Sequence, residues 1–138
     1  MKLAKITFWA LIVLGLIIFA SIFTGIIGKI PFLPAIGLFF LLGVLLVIFT
    51  LKEKVKGWLK FFLLLTGISS SCFVLFVVFH NFFYALNIIW ADIAVLRYLT
   101  EWLHVGYFLI GVLVCPVTFL IGLIGSIVLF LKKNSFIS

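Results

Sequence analysis

Residues 57–79 read GWLKFFLLLTGISSSCFVLFVVF, and Lys60, near the start, is the one charged side chain in this run. A helix that is apolar on all sides lies either in the core of a large protein or in a membrane. Because the chain has only 138 residues, the membrane is the better match. About 20 mainly apolar residues cross the hydrocarbon of a bilayer, so this run predicts a membrane-spanning helix.

Three further runs of the same kind lie around it, at residues 6–28, 32–51 and 105–131. Hydrophobic residues make up 67% of the chain and charged residues 9%, against about 45–50% and about 25% in soluble domains. The pieces between the runs are too short to form a separate soluble domain. We therefore predict one membrane domain over residues 1–138, an all-α integral membrane protein that forms a four-transmembrane-helix bundle.

Residues 80–104 connect the third and fourth runs, and they hold both histidines, the one arginine and two of the 3 acidic residues. From Ile93 onward, apolar residues recur with a helical period, which predicts an amphipathic extracytoplasmic segment at the membrane surface. In an alternative topology, residues 82–103 form a fifth span that buries Asp92 and Glu101. Such burial costs free energy, because charged side chains are rarely tolerated within the hydrocarbon.

The basic residues are distributed unevenly between the two sides of the predicted membrane domain. With four spans, both termini and the second connection share one side, and the opposite side carries only Lys29 and Arg97 of the 10 basic residues. The positive-inside rule then predicts that both termini are cytoplasmic, at the plasma membrane. The lysines on that side are expected to contact anionic lipid headgroups, whereas no folded basic surface is predicted that would bind nucleic acid. These residues are Lys2, Lys5, Lys52, Lys54, Lys56, Lys60, Lys132 and Lys133.

The two histidines lie at matching ends of consecutive helices. His80 closes the third run and His104 opens the fourth, so antiparallel packing predicts that the imidazoles lie at a similar depth. Two imidazoles can ligate a haem iron from both sides, or form half of a metal site that Asp92 or Glu101 completes. Our main interpretation includes no cofactor and treats both histidines as hydrogen-bonded interfacial residues; a haem or metal site is the alternative.

Small side chains recur at helical spacing in several runs, and such faces allow helices to approach closely in lipid. The first run has a short version at Ser21, Gly25 and Gly28, and Cys72 is interpreted as a packing residue. We expect these faces to form a contact between the third and fourth helices, or to mediate self-association. Another membrane protein is also a candidate partner. Pro116 is predicted to bend the fourth helix. The main packing residues are Gly67 and Ser70 in the third run and Gly111, Cys115, Thr118, Gly122 and Ser126 in the fourth.

Motifs of catalysis are missing from the sequence. It contains no Gly-rich phosphate loop, no CxxC pair, no HExxH and no GxSxG, and we therefore do not expect an enzyme. The main interpretation is a small accessory or subunit-type membrane protein that acts through helix packing. Two alternatives stay open: a redox protein that binds haem or a metal through His80 and His104, and a small channel or permeability protein.

Overall fold

A computed structural model of the chain describes residues 1–24 and 32–135. The predicted packing residues Gly25 and Gly28 lie outside this part. The described residues are helical apart from short turns and contain no strand, which confirms the all-helical class. The helices are α1 (Lys2–Thr24), α2 (Phe32–Lys52), α3 (Gly57–Ile89), α4 (Ala94–Leu109) and α5 (Cys115–Ser135).

A π-helical turn, Ile110–Val114, joins α4 to α5 without a break, and residues 94–135 are called the C-terminal helix below. This turn lies just before Pro116, the residue that is predicted to bend the helix. Proline has no N–H, and its ring collides with the carbonyl group four residues earlier, that of Val112. The N–H of Cys115 bonds to the carbonyl of Ile110, and the wider turn admits the proline without ending the helix.

Four helices are long and apolar enough to cross a membrane, the number that the sequence predicts. With α1 at 23 residues and α2 at 21, their lengths are about 34 and about 31 Å, close to the roughly 30 Å of bilayer hydrocarbon. The 33 residues of α3 extend about 50 Å, and the 39 residues of Ala94–Lys132 about 58 Å. Each of these two helices therefore exceeds α1 and α2 by 10 residues or more, which is close to three helical turns or longer.

The excess length lies at one end of the bundle. The Ser71 hydroxyl donates to the carbonyl of Phe40 at 3.5 Å, so these two residues lie at the same level. Because α2 runs antiparallel to α3, the start of α2 at Phe32 is then level with about residue 79 of α3. Residues 81–103 extend beyond this level as a pair of helices, and we call them the projecting hairpin. Its turn, at residues 90–93, divides the predicted alternative span 82–103 between two helices, so these residues do not form a fifth span.

The helices are arranged around α3, which packs against α2 on one side and the C-terminal helix on the other, while α1 packs against α2. The main apolar cluster lies near the lysine-rich end, where the rings of Phe8 and Phe130 are 5.5 Å apart. This cluster fixes the first and last helices to the middle pair. Its buried members are Phe8, Leu11, Leu46, Val55, Leu63 and Phe130.

Candidate functional site

The two histidines come together at the base of the projecting hairpin. The ring centroids of His80 on α3 and His104 on α4 are 5.4 Å apart. The ring of Phe108 lies 5.2 Å from that of His80, and the ring of Tyr84 lies 5.7 Å from that of His104. We call these four residues the histidine cluster. Both imidazoles are half-buried.

Hydrogen bonds determine the tautomer of each histidine. Nδ1 of His80 lies 2.8 Å from the carbonyl oxygen of His104, and Nδ1 of His104 lies 3.3 Å from that of Thr100. A carbonyl oxygen can only accept, so in both rings Nδ1 is the donor. Each neutral imidazole therefore keeps the lone pair on Nε2, the nitrogen that can bind a metal ion.

The predicted acidic ligands are placed differently from the imidazoles. Asp92 lies in the turn of the hairpin, beyond the end of α3 and roughly 14 Å along the helix from His80. Glu101 is exposed on α4, one turn before His104. Within residues 1–24 and 32–135, no group of three or more His, Cys, Asp or Glu side chains is placed to hold a metal. The structure thus brings two candidate ligands together and leaves Asp92 apart from them.

The geometry between the imidazoles bears on the haem alternative. A haem bound by both would have to lie between two helices that are hydrogen-bonded to each other at this point. The adjacent cavity has a volume of about 110 Å³ and an apolar lining that includes Phe76, Tyr107 and Phe108. His80 lines this cavity and His104 does not, so the cavity does not lie between the two imidazoles.

The two helices of the projecting hairpin share polar contacts, and the outer surface carries large apolar side chains beside the exposed charges of Asp92, Arg97 and Glu101. The Asn87 amide donates to the carbonyl of Arg97 at 2.8 Å and to the hydroxyl of Thr100 at 3.1 Å, and Thr100 is only 2% exposed. Arg97 donates to the carbonyl of Ala91 at 3.4 Å. The large apolar side chains that face outward include Ile89 at 71%, Val95 at 77%, Tyr98 at 67% and Trp102 at 64% exposure. Such a surface matches an apolar environment or a protein partner.

The small residues of the C-terminal helix lie against α3. A Cβ atom added to Gly122 would approach the backbone nitrogen of Thr66 to 2.7 Å, and the Ser69 hydroxyl donates to that of Thr118 at 2.7 Å. Gly111 lies close to Phe76, while Cys115 and Ser126 are buried. These residues therefore form the contact between the two longest helices.

The sequence predicts that Gly67 and Ser70 face the fourth helix, but the structure places both of them against α2. A Cβ atom on Gly67 would lie 2.8 Å from the carbonyl oxygen of Gly43 on α2. The buried hydroxyl of Ser70 donates to the carbonyl of Gly67 at 3.0 Å, and that of Ser71 does so at 2.9 Å. Cys72 and Cys115 are both free thiols. Gly67 and Ser70 thus serve the contact with α2, and Gly43, which the sequence analysis did not single out, is its counterpart.

Glu53 is a structural residue that the sequence analysis missed. Its two carboxylate oxygens accept hydrogen bonds from the amides of Leu3 at 3.0 Å and Ala4 at 2.9 Å, and the N-terminal ammonium lies 2.9 Å away. Burial opposes its ionisation, but these hydrogen bonds and the ammonium charge outweigh burial and lower the pKa of Glu53 below its usual value. The sequence feature that could have indicated this role is that Glu53 is the single acidic residue among the lysines of residues 52–60.

No protein-family model, curated protein or solved structure matches this chain. Its function is therefore inferred from the contacts of its own residues.

Proposed function

We propose that this chain is a small subunit or accessory protein of a membrane assembly, anchored by four spans and bound to a partner protein through the projecting hairpin. The observation that carries the proposal is the large apolar surface that residues 81–103 leave exposed. Asn87 bonds to the facing helix, while Ile89, Val95, Tyr98 and Trp102 face outward beside the exposed charges of the hairpin. A surface of this kind is stabilised when another apolar surface covers it.

The lengths of α1 and α2 support the proposal that a protein partner, and not lipid, covers the apolar surface of the hairpin. Both helices match the bilayer thickness, so a bilayer that fits them ends near the level of His80. The outward side chains of the hairpin include Tyr98 and Trp102, with ring centroids 6.1 Å apart. Tyrosine and tryptophan are over-represented among the residues that dominate binding at protein interfaces.

The proposed orientation places the hairpin outside the cytoplasm. The start of α1, the α2–α3 connection and the end of the C-terminal helix meet at the opposite end of the bundle, where Lys5 lies over the ring of Phe130 at 5.7 Å. This end collects most of the chain's lysines. By the positive-inside rule it is cytoplasmic, and both termini are then cytoplasmic in the plasma membrane.

The serine cluster of α3 supports a packing role over a pore-lining role. The hydroxyls of Ser70 and Ser71 are used by the backbone of their own helix, and that of Ser69 by Thr118 on the facing helix. A pore requires polar groups that remain available to water or ions. In the described part of the bundle, these hydroxyls are engaged by carbonyl groups of their own helix or by Thr118 of the facing helix.

Photo-crosslinking in the native membrane tests the proposal. A photoreactive amino acid is placed at Val95 or Trp102 on the hairpin, and at Val117 on the C-terminal helix as a matched control that is also highly exposed. We expect both hairpin positions to yield the same discrete protein adduct, and Val117 to yield lipid adducts. Substituting Tyr98→Ser should weaken the Val95 adduct, because it removes an exposed aromatic contact without disturbing the bundle.

The proposal fails if the hairpin positions yield only lipid adducts, or if the Val117 position gives the same protein adduct. An adduct with the mass of two copies of this chain would show self-association. That result would also overturn the proposal that the partner is a different protein.

A further inference from the structure

The histidine cluster carries an inference that does not depend on the proposed partner. We infer that His80 and His104 together bind one divalent transition-metal ion of the kind that prefers imidazole, such as Zn²⁺, Cu²⁺ or Ni²⁺. The ion would join α3 to α4 at the level where the hairpin leaves the bundle.

The hydrogen bonds of the two rings prepare them as ligands. Metal-binding histidines almost always donate their second ring N–H to a carboxylate, a backbone carbonyl or a water, which fixes the tautomer and the ring orientation. His80 donates to the carbonyl of His104 and His104 to that of Thr100. The chain thus provides this supporting contact for both imidazoles, and it does so for the only 2 histidines that it contains.

The separation of the rings fits one shared ion. With Zn–N bonds of about 2.0–2.1 Å, two imidazoles on a tetrahedral ion have ring centroids roughly 5 Å apart. The observed separation is 5.4 Å. His80 lies on α3 and His104 on α4, so an ion shared by the two imidazoles would link these helices.

Two imidazoles leave at least two positions of a tetrahedral ion for water or another ligand. A site with open positions is typical of binding or catalytic metal sites, whereas closed structural sites use four protein ligands. The half-burial of His80 and His104 leaves room for solvent at the ion. Metal binding should also stabilise the fold, because it requires both helices in place.

Metal titration of the purified chain tests the inference. The protein carries no polyhistidine tag, and Cys72→Ser and Cys115→Ser remove the two thiols. Zn²⁺ binding is measured by calorimetry in detergent micelles, and the Cu²⁺ complex by electron paramagnetic resonance. We expect about one ion per chain, nitrogen hyperfine structure on Cu²⁺, and a higher melting temperature in the presence of Zn²⁺.

The variants His80→Asn and His104→Asn separate ligation from structure. An asparagine amide can replace Nδ1 as the donor to the backbone carbonyl but offers no imidazole. Each variant should retain its helical content and bind Zn²⁺ at least about tenfold more weakly. Asp92→Asn, which changes the acid at the far end of the hairpin, should bind as the parent does.

The inference is overturned if the parent binds no Zn²⁺ or Cu²⁺ at micromolar concentration, or if both histidine variants bind as tightly as the parent. An equal loss of Zn²⁺ affinity in Asp92→Asn would likewise show that the ion binds at a different place.

Discussion

Glu53 stands among four lysines, yet its carboxylate faces the backbone of α1. It accepts hydrogen bonds from the Leu3 and Ala4 amides and is 17% exposed. Helix α1 has no acidic residue in its own first turn, so its free N–H groups are satisfied from the α2–α3 connection. An acceptor at this end also interacts favourably with the helix dipole.

This contact makes the stability of the chain depend on pH. The folded pKa of Glu53 is lowered, so its contribution is complete above the pKa of an unfolded glutamate, about 4.3, and is lost as the pH falls through the folded pKa. We expect Glu53→Gln to melt at a lower temperature than the parent at about pH 7, and the difference to shrink towards about pH 3. Thermal melting followed by circular dichroism measures both.

Glu101→Gln is the matched control, since Glu101 is exposed and forms no ion pair within residues 1–24 and 32–135. A pH dependence of the same size in both variants would contradict the role assigned to Glu53.

The sequence predicted the histidine pair but could not predict the role of Glu53. His80 closes the third apolar run and His104 opens the fourth. Antiparallel packing of these consecutive helices alone then places the two histidines at one level. The partners of Glu53 lie 49 and 50 positions away along the chain. No local pattern reports a contact of that kind, because it depends on where α1 meets the α2–α3 connection.

At the scale of the elements, the contact between α3 and the C-terminal helix depends on the missing side chain at Gly122. A methyl group there would approach the backbone nitrogen of Thr66 to 2.7 Å and the carbonyl oxygen of Phe62 to 2.9 Å. Backbone atoms cannot move aside without separating the helices. We therefore expect Gly122→Ala to lower the free energy of unfolding by about 1–3 kcal/mol, measured by reversible denaturation in detergent micelles.

Gly106→Ala in the same helix is the control, because a Cβ atom at Gly106 would meet no atom within 4 Å. Alanine favours a helix over glycine, so this change should be neutral or stabilising by up to about 1 kcal/mol. Equal destabilisation by both substitutions would show that close packing at Gly122 is not the cause.

The helices could be predicted from the sequence more securely than their ends. Hydropathy revealed four runs because a helix must have a minimum length to cross a bilayer. The bilayer sets no maximum length for such a helix. The third run was predicted to end at Phe79, whereas α3 continues to Ile89. Asn81 stays in the helix by donating to the carbonyl of Val77, and Asn87 by donating to the facing helix, so these polar residues did not mark a boundary.

At the scale of the whole molecule, two helices sized for the bilayer adjoin two that are much longer. This difference, together with the outward apolar side chains of residues 81–103, gives the chain a surface that residues 1–24 and 32–135 of the bundle do not cover. The proposed assignment as a subunit or accessory protein depends on that surface lying outside the hydrocarbon. It would have no basis if the hairpin were surrounded by lipid.

The most direct test is to measure the depth of the hairpin in reconstituted vesicles. A fluorescent label is attached to a single cysteine at Val95 or Val117 after Cys72→Ser and Cys115→Ser, and its quenching by iodide in water is compared with quenching by lipids that carry a quencher on the acyl chain. The account predicts that iodide quenches the label at Val95 and that lipid quenches the label at Val117. Efficient quenching of both labels by lipid would contradict it, because the hairpin would then lie within the bilayer.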